Sequence, residues 1–171
     1  LQMDIKIQGI TKEIMQVALA RHDEIVRSAI EGREGHVFKT LGDAFCCAFS
    51  SAPEALGAAI SAQRALHDEE WGEGGVIRVR MALHTGAVEE QGGDYFGPAL
   101  NRVARLLSAG HGGQTLLSLA TQELVRDALP LDAGLEDLGE RRLKDLFRPE
   151  RVFQLLSPEL PTTFPPLKTL D

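Results

Sequence analysis

Two stretches in the first half of the chain carry apolar residues at helical spacing, with polar residues between them. The first covers residues 14–30, and the second begins at Ser51 and Pro53. A recurrence every three to four residues predicts amphipathic helices, and a proline is tolerated in a first helical turn. We therefore expect both stretches to be helices that bury one face.

Shorter apolar runs elsewhere predict β-strands. Residues 76–83 alternate between apolar side chains and arginines, which indicates a half-buried strand. Residues 36–49 form two apolar runs around Gly42, which predicts a hairpin, and residues 94–97 are interpreted as a turn. The remaining predicted elements are a helix over 98–109, a strand over 115–117, a helix over 120–128 and a hairpin over 142–156. This order predicts an α+β fold in which helices layer a sheet.

Length and composition are those of one globular domain. The chain has 171 residues, of which 43% are hydrophobic and 25% charged, enough for a single full core. We assign residues 1–157 to the domain and the proline-rich residues 158–171 to a C-terminal linker. The formal net charge is −7 and no run of Lys or Arg occurs, which argues against a nucleic-acid partner.

Cysteine usage and hydropathy lead us to expect a cytoplasmic domain without a membrane segment. Cys46 and Cys47 are adjacent, so on a strand their side chains point to opposite faces and are poorly placed to pair. No apolar stretch approaches the roughly 20 residues that span a bilayer. The first residues also lack the basic start and apolar core of a signal peptide.

Four polar clusters stand out against this background. Asp43 follows the glycine of the predicted hairpin, where a carboxylate suits Mg²⁺, although most such turns are plain turns. Asn101 and Arg105 share a helix face, where they suit a ribose and a phosphate or are a helix start and a solvated arginine. Lys144 lies near a predicted strand start, where a lysine also protects a sheet edge. The fourth cluster is at Asp4.

In this order and spacing the clusters resemble the catalytic domain of class III adenylate and guanylate cyclases. The matching segments are, in chain order, FKTLGDAFCCAF, VRMALHTGAV, GDYFGPALNRVARLLSAGHGGQTLLS and LGERRLKDLFRPERVFQL. They fall within about residues 20–156, and the stretch 94–105 is the most specific. The resemblance implies a ferredoxin-like, palm-type central sheet layered by helices.

A second signature overlaps this stretch. Residues 92–96 resemble the GG(D/E)EF motif of diguanylate cyclases, which share a related palm-like fold. That motif needs a second acidic residue where this chain has Tyr95, and the helix with Asn101 and Arg105 belongs to the class III pattern. The class III resemblance is therefore preferred.

The class III resemblance implies an adenylate cyclase, a lyase that converts ATP to 3′,5′-cyclic AMP and pyrophosphate for intracellular signalling. It implies two Mg²⁺ or Mn²⁺ ions per site, held by Asp43 and Asp4. Asn101 would orient the ribose, and Arg105 would stabilise charge on the α-phosphate. Lys144 would bind the triphosphate, although Asp145 stands where the family motif has glycine.

Base choice and assembly follow from two further residues. Lys39 donates hydrogen bonds and Asp94 accepts them, which complements N1 and the N6 amino group of adenine rather than guanine. Lys39 and Asp43 are four residues apart yet serve opposite ends of the nucleotide, and the family resolves this by pairing two chains head to tail. The expectation is a homodimer with two equivalent sites.

The N-terminus departs from the family pattern. Asp4 and Ile5, followed by Gly9 and Thr11, are similar to the family's first metal-binding segment but have two extra residues before the glycine. A catalytically weak, cyclase-like module that binds nucleotide and regulates an attached domain is therefore the alternative function. The tail resembles the junction to a STAND-type ATPase, which predicts a downstream domain of that kind.

Overall fold

The computed structural model describes residues 2–6, 12–72 and 75–171, with the side chains of residues 2–6, 12 and 13 outside the description. Its strands are β1 (Gln2–Lys6), β2 (His36–Leu41), β3 (Ala44–Ala48), β4 (Arg78–Leu83), β5 (Glu89–Gln91), β6 (Asp94–Phe96), β7 (Thr115–Ser118), β8 (Gly134–Arg141) and β9 (Glu150–Leu156). Its helices are α1 (Lys12–Glu31), α2 (Ala52–Asp68), α3 (Pro98–Ala109) and α4 (Leu119–Val125).

The described strands form one large mixed sheet and one small hairpin. The large sheet has seven strands in the order β2-β3-β1-β4-β7-β9-β8, while β5 and β6 pair only with each other. β4 and β7 run parallel, and the other neighbours in the large sheet are antiparallel. The predicted α+β fold with a central sheet layered by helices is confirmed. In the described parts of the chain, no helix combines the length and the apolar character needed to cross a membrane.

The sheet buries both of its faces, and β4 shows how. Val79, Met81 and Leu83 belong to one buried cluster with residues of α1, α2 and α4, while Ala82 belongs to another. Successive side chains on a strand point to opposite faces, so the two clusters lie on opposite sides of the sheet. The larger is named the major core. The minor core comprises Ala82, Leu106, Leu107, Ala109, Leu116, Leu143 and Val152.

Three predicted elements are wrong or displaced. The predicted turn at 94–97 is mostly strand β6, which pairs with β5 around Gly92 and Gly93. The last hairpin begins at Gly134 rather than at residue 142, because β8 is an edge strand with a register break that weakens its alternation. Helix α4 ends at Val125 instead of residue 128. The predicted helices over 14–30 and 98–109 are confirmed.

Residues 158–171 form no helix or strand, yet they are hydrogen-bonded to the domain. The Lys168 amide donates to the Ala109 carbonyl at 2.9 Å, and the His111 imidazole Nε2 lies 2.9 Å from the Pro166 carbonyl oxygen. Leu167 packs against the minor core. That this segment is a linker stays a prediction. In the structure it packs along the surface of the domain.

Candidate active site

The β2–β3 hairpin presents Asp43 to solvent. Gly42 adopts a φ of +59°, a left-handed conformation that glycine accepts at little cost. The turn is two residues long, with Leu41 paired to Ala44 on either side of it. Asp43 is therefore exposed at the tip of the hairpin, with its carboxylate available to a ligand.

Asp4 is placed by the backbone of β1. This strand lies between β3 and β4, with Gln2 opposite Cys46 on one side and Asp4 opposite Arg80 on the other. Continuing the antiparallel register from Gln2 and Cys46 places Asp4 level with Ala44, the neighbour of Asp43. The backbone thus brings both predicted metal ligands to one end of adjacent strands. Gly9 and Thr11 lie outside the described residues.

The chemistry of these two aspartates suits a magnesium ion. Among the described side chains, no group of three or more His, Cys, Asp or Glu residues could hold a metal. Mg²⁺ is nevertheless bound in many enzymes by only one or two carboxylates, with water and substrate phosphates completing the shell. The predicted ligand set therefore fits a metal that arrives with a nucleotide rather than a permanent structural metal.

Lys39 and Asp94 come from two strands, β2 and β6, that pack against each other. The rings of their neighbours Phe38 and Tyr95 make an edge-to-face contact with centroids 4.7 Å apart, which joins β2 to β6. Both charges act on the Cys46 thiol: its pKa is raised by burial and by the Asp94 carboxylate, and lowered by the Lys39 ammonium. The predicted donor and acceptor therefore stand on neighbouring strands.

Helix α3 carries Asn101 and Arg105 on the same face, one turn apart. The helix is held by Arg102, whose Nη1 donates to Glu150 Oε2 at 2.5 Å. Glu150 is buried, and its Oε1 accepts a 3.2 Å bond from the Leu119 amide at the start of α4. A charged, partly buried pair with both oxygens used fixes α3 against β9. Asn101 itself is exposed.

The loop between β8 and β9 brings Lys144 to the same helix. Lys144 lies in this loop and not at a strand start, which corrects the prediction, because β9 begins only at Glu150. The buried Leu143 anchors the loop in the minor core. The next residue, Asp145, forms an ion pair with Arg105, with 2.7 Å between Arg105 Nη2 and Asp145 Oδ2. This ion pair links α3, which carries Arg105, to the loop that carries Lys144.

A cavity of about 220 Å³ lies beside this arrangement. The rings of Phe38 and Tyr95 line it, together with His84 at the end of β4. The His84 Nδ1 lies 2.7 Å from Ser118 Oγ, and burial lowers the pKa of the imidazole. Of the predicted site residues whose side chains are described, none lines this cavity. They lie instead on the open surface of the chain.

Sequence reasoning missed two features that shape the site. One is the Arg102–Glu150 pair that fixes α3, which joins residues far apart in sequence and leaves no local pattern. The other is the Arg105–Asp145 pair. A signal for it was present, since Asp145 occupies a position where the family motif has glycine. A carboxylate beside a phosphate-binding lysine is a departure with electrostatic consequences.

Comparison with known proteins gives relatives of two kinds. The chain is 43% identical over 159 residues to the uncharacterized protein Rv0891c of Mycobacterium tuberculosis, covering 92% of this chain and 53% of that protein. It is 28% identical over 186 residues to the receptor-type adenylate cyclase GRESAG 4.2 of Trypanosoma brucei brucei, covering 84% of this chain and 32% of that protein. The chain thus spans about half the length, or less, of these relatives. No family model matches it.

Solved structures confirm the fold. Adenylate cyclases of Trypanosoma brucei in their monomeric state superpose with a TM-score of 0.80 at 23% identity, covering 99% of this chain and 94% of theirs. An adenylate/guanylate cyclase/hydrolase from Silicibacter pomeroyi gives 0.74 at 27% identity, covering 92% and 95%. This chain has the fold of the class III nucleotidyl cyclase catalytic domain, and the resemblance seen in its sequence is confirmed. The neighbours include both adenylate and guanylate cyclases.

Proposed function

We propose that this domain is an adenylate cyclase that converts ATP to 3′,5′-cyclic AMP and pyrophosphate in intracellular signalling, in the cytoplasm. The observation that supports the choice of base is the contact between Phe38 and Tyr95, which packs the strand that carries Lys39 against the strand that carries Asp94. A donor beside an acceptor matches adenine, whereas guanine would meet each group with a like partner.

The other residues take roles along the rest of the nucleotide. Asn101 orients the ribose so that its 3′-hydroxyl attacks the α-phosphorus in line with the leaving pyrophosphate. Arg105, one turn further along α3, stabilises the charge that develops on the α-phosphate oxygens. Lys144 binds the triphosphate from the β8–β9 loop. The grouping of Arg105 with the Lys144 loop supports this division of work.

Asp43 and Asp4 would hold two Mg²⁺ or Mn²⁺ ions. When bound, such ions lower the pKa of the attacking hydroxyl and neutralise the leaving triphosphate. The exposure of Asp43 at the hairpin tip, and the register that brings Asp4 level with Ala44, support this assignment.

The active unit would be a head-to-tail homodimer with two composite sites. Lys39 and Asp43 occupy one short hairpin, so a single nucleotide cannot readily use both from the same chain. Exposure of Lys39, Asp43, Asn101 and Lys144 supports a site that a second chain completes. Each site would take its metal ligands from one chain and its remaining residues from the other. In a longer protein, a STAND-type ATPase domain would follow the tail.

A second candidate is a cyclase-like module that binds nucleotide weakly and regulates an attached domain. The observation that favours it is the ion pair of Arg105 with Asp145, which occupies the arginine expected to stabilise the transition state.

The test is an assay of the purified chain with ATP and Mn²⁺, with cyclic AMP resolved by chromatography and GTP run in parallel. The active-enzyme proposal expects cyclic AMP in excess of cyclic GMP, and none from the matched Asp43→Ala variant. Equal product from wild type and variant would identify a contaminant. Binding of a non-cyclisable ATP analogue without product would favour the regulatory module.

A further inference from the structure

Asp145 adopts an unusual backbone conformation next to Lys144. Its φ is +60°, in the left-handed region that favours glycine and that aspartate and asparagine tolerate better than most residues. The resemblance places a glycine here. The chain therefore keeps a backbone conformation that glycine adopts easily and adds a carboxylate that contacts Arg105, one of the predicted phosphate ligands.

The Asp145 carboxylate is more exposed than the carboxylate of Glu150, which forms a structural ion pair. Asp145 Oδ2 lies 2.7 Å from Arg105 Nη2, and the two side chains are 52% and 32% exposed. Arg105 Nε is buried and has no hydrogen-bond partner among the described residues. An unsatisfied buried donor costs free energy, so the guanidinium has more to gain from another acceptor. Glu150, by contrast, is almost fully buried and uses both oxygens.

Asp145 also opposes phosphate binding by its charge. It pairs with Arg105 and follows Lys144 in the chain. Its negative charge therefore offsets part of the positive charge that the guanidinium offers to an anion. A phosphate oxygen that binds Arg105 must compete for the donors held by the carboxylate, and it must also approach a like charge. Both effects weaken binding of a phosphate ester.

We propose that Asp145 is an affinity-setting residue that competes with the nucleotide's phosphates for Arg105. This rests on the proposed function, since it takes Arg105 and Lys144 as phosphate ligands. The carboxylate is half exposed, and its loop is anchored by the buried Leu143 next to Lys144. Asp145 can therefore release Arg105 to a phosphate without uncovering the minor core.

The chain offers a matched control. Arg64 and Asp132 form an ion pair of 2.9 Å, with side chains 36% and 53% exposed. The residue types, the N–O distance and the exposure resemble those of Arg105 and Asp145, while Arg64 Nη2 also donates to Ser157 Oγ at 2.8 Å. Arg64 and Asp132, however, have no role in the proposed site. Asp132→Asn removes the same charge from a similar pair, so it isolates the effect of location.

The experiment is calorimetric binding of inorganic pyrophosphate and of a non-cyclisable ATP analogue. Asp145→Asn keeps the tolerated backbone conformation and removes the charge, and Asp145→Gly restores the residue that suits this conformation. Both should bind the two probes roughly 3- to 10-fold more tightly than wild type, the scale of a part-exposed ion pair plus a like-charge contact. Asp132→Asn should match wild type. Arg105→Ala in the Asp145→Asn background should remove most of the gain.

Unchanged affinity in both Asp145 variants, or an equal gain in Asp132→Asn, would overturn the proposal. If no chain binds either probe, it is overturned as well. The outcome is independent of turnover: a gain in affinity without cyclic AMP from any variant would leave the affinity role standing and remove the cyclase. Production of cyclic AMP by wild type, with the same affinity in wild type and both Asp145 variants, would support the cyclase and remove the affinity role of Asp145.

Discussion

The two faces of the sheet are built differently. The major core is covered by α1, α2 and α4, whereas the minor core lies under α3, the β8–β9 loop and the docked residue Leu167. The thinner face carries the proposed ribose and phosphate ligands: Asn101 and Arg105 are on α3, and Lys144 follows a residue of the minor core.

This difference assigns stability and chemistry to different parts of the molecule. Apolar burial is the main stabilising term in folding, so the major core should set most of the free energy of unfolding. Polar side chains on a thinly covered face stay accessible to a ligand, and an exposed hairpin adds Asp43 and Lys39 at the sheet edge. The comparison predicts that activity and stability can be lost separately.

The largest effect is expected from the exposed polar residues. Asp43→Ala and Arg105→Ala should each abolish cyclase activity, by at least about 100-fold, because every site of a homodimer then lacks one essential group. Mixing the two variants should restore activity. Random pairing makes about half the dimers mixed, each with one intact site, so recovery should approach roughly a quarter of wild type.

Thermal melts of the two single variants provide the control. The Asp43→Ala melt should match wild type closely, since Asp43 is exposed at a turn. Mixed dimers that form without regaining activity would show that each site is built within one chain. A large loss of stability in Asp43→Ala would contradict the idea that activity and stability depend on different parts of the molecule.

Truncations in the two cores sharpen the comparison. Leu56→Ala in the major core and Leu106→Ala in the minor core each remove a fully buried side chain. Losses of about 2–5 kcal/mol are expected, with Leu56→Ala at the upper end because its surroundings are less free to collapse. Leu106→Ala should also lower the activity measured under conditions where the variant is still folded, because Leu106 is the neighbour of Arg105. Urea unfolding and assays at low temperature measure both.

The exposed Leu131 gives the matched control. Leu131→Ala removes no buried side chain, so it should change neither the free energy of unfolding nor the activity. If Leu56→Ala lowered activity per folded molecule as much as Leu106→Ala did, the site would depend equally on both cores.

The sequence predicted the elements whose residues face the cores, because burial imposes a period. The alternation over 76–83 predicted β4, with Val79 and Met81 buried and Arg78 exposed. Proline 98 and the glycines after Ala109 predicted both ends of α3. The elements missed or displaced have little burial to set a period: β5 is an exposed three-residue strand, and β8 lies at the sheet edge.

For the site, residue types were readable but their contacts were not. The roles proposed for Lys39 and Asp94 came from motif and hydrogen-bonding capacity, and no sequence pattern states that Phe38 packs on Tyr95 to bring them together. The pairing of Arg105 with Asp145 joins a helix to a distant loop. Such contacts depend on tertiary packing, which local periodicity does not encode.

A smaller effect is expected from the base-recognition pair. Lys39→Glu combined with Asp94→Cys should lower ATP turnover by roughly 10- to 100-fold and raise the relative use of GTP, because the donor and acceptor pattern no longer complements adenine. Parallel assays with both nucleotides measure the ratio. Stability should hold, since both residues lie outside the two cores. An unchanged preference for ATP would remove these residues from base recognition.

The smallest effect concerns His84, which follows β4 and lines the cavity of about 220 Å³. Burial lowers the pKa of its imidazole, with Arg102 acting in the same direction and Glu150 opposing. The unfolded chain therefore binds the proton more readily than the folded chain does. The contribution of a neutral His84 to stability is complete above the unfolded pKa of about 6.5 and is lost as pH falls below it, towards the lower folded pKa.

Replacing His84 with Asn tests this sign. The variant should be less stable than wild type at pH 8 by about 0.5–1.5 kcal/mol, the worth of the contact with Ser118. Because Asn does not titrate, the gap should narrow as the pH is lowered from 7 to 5, whereas His22, whose pKa burial also lowers, is common to both proteins. Urea unfolding at several pH values measures the gap. Parallel curves over that range would mean that His84 titrates alike in the folded and unfolded chains, which would contradict the proposed effect of burial on its pKa.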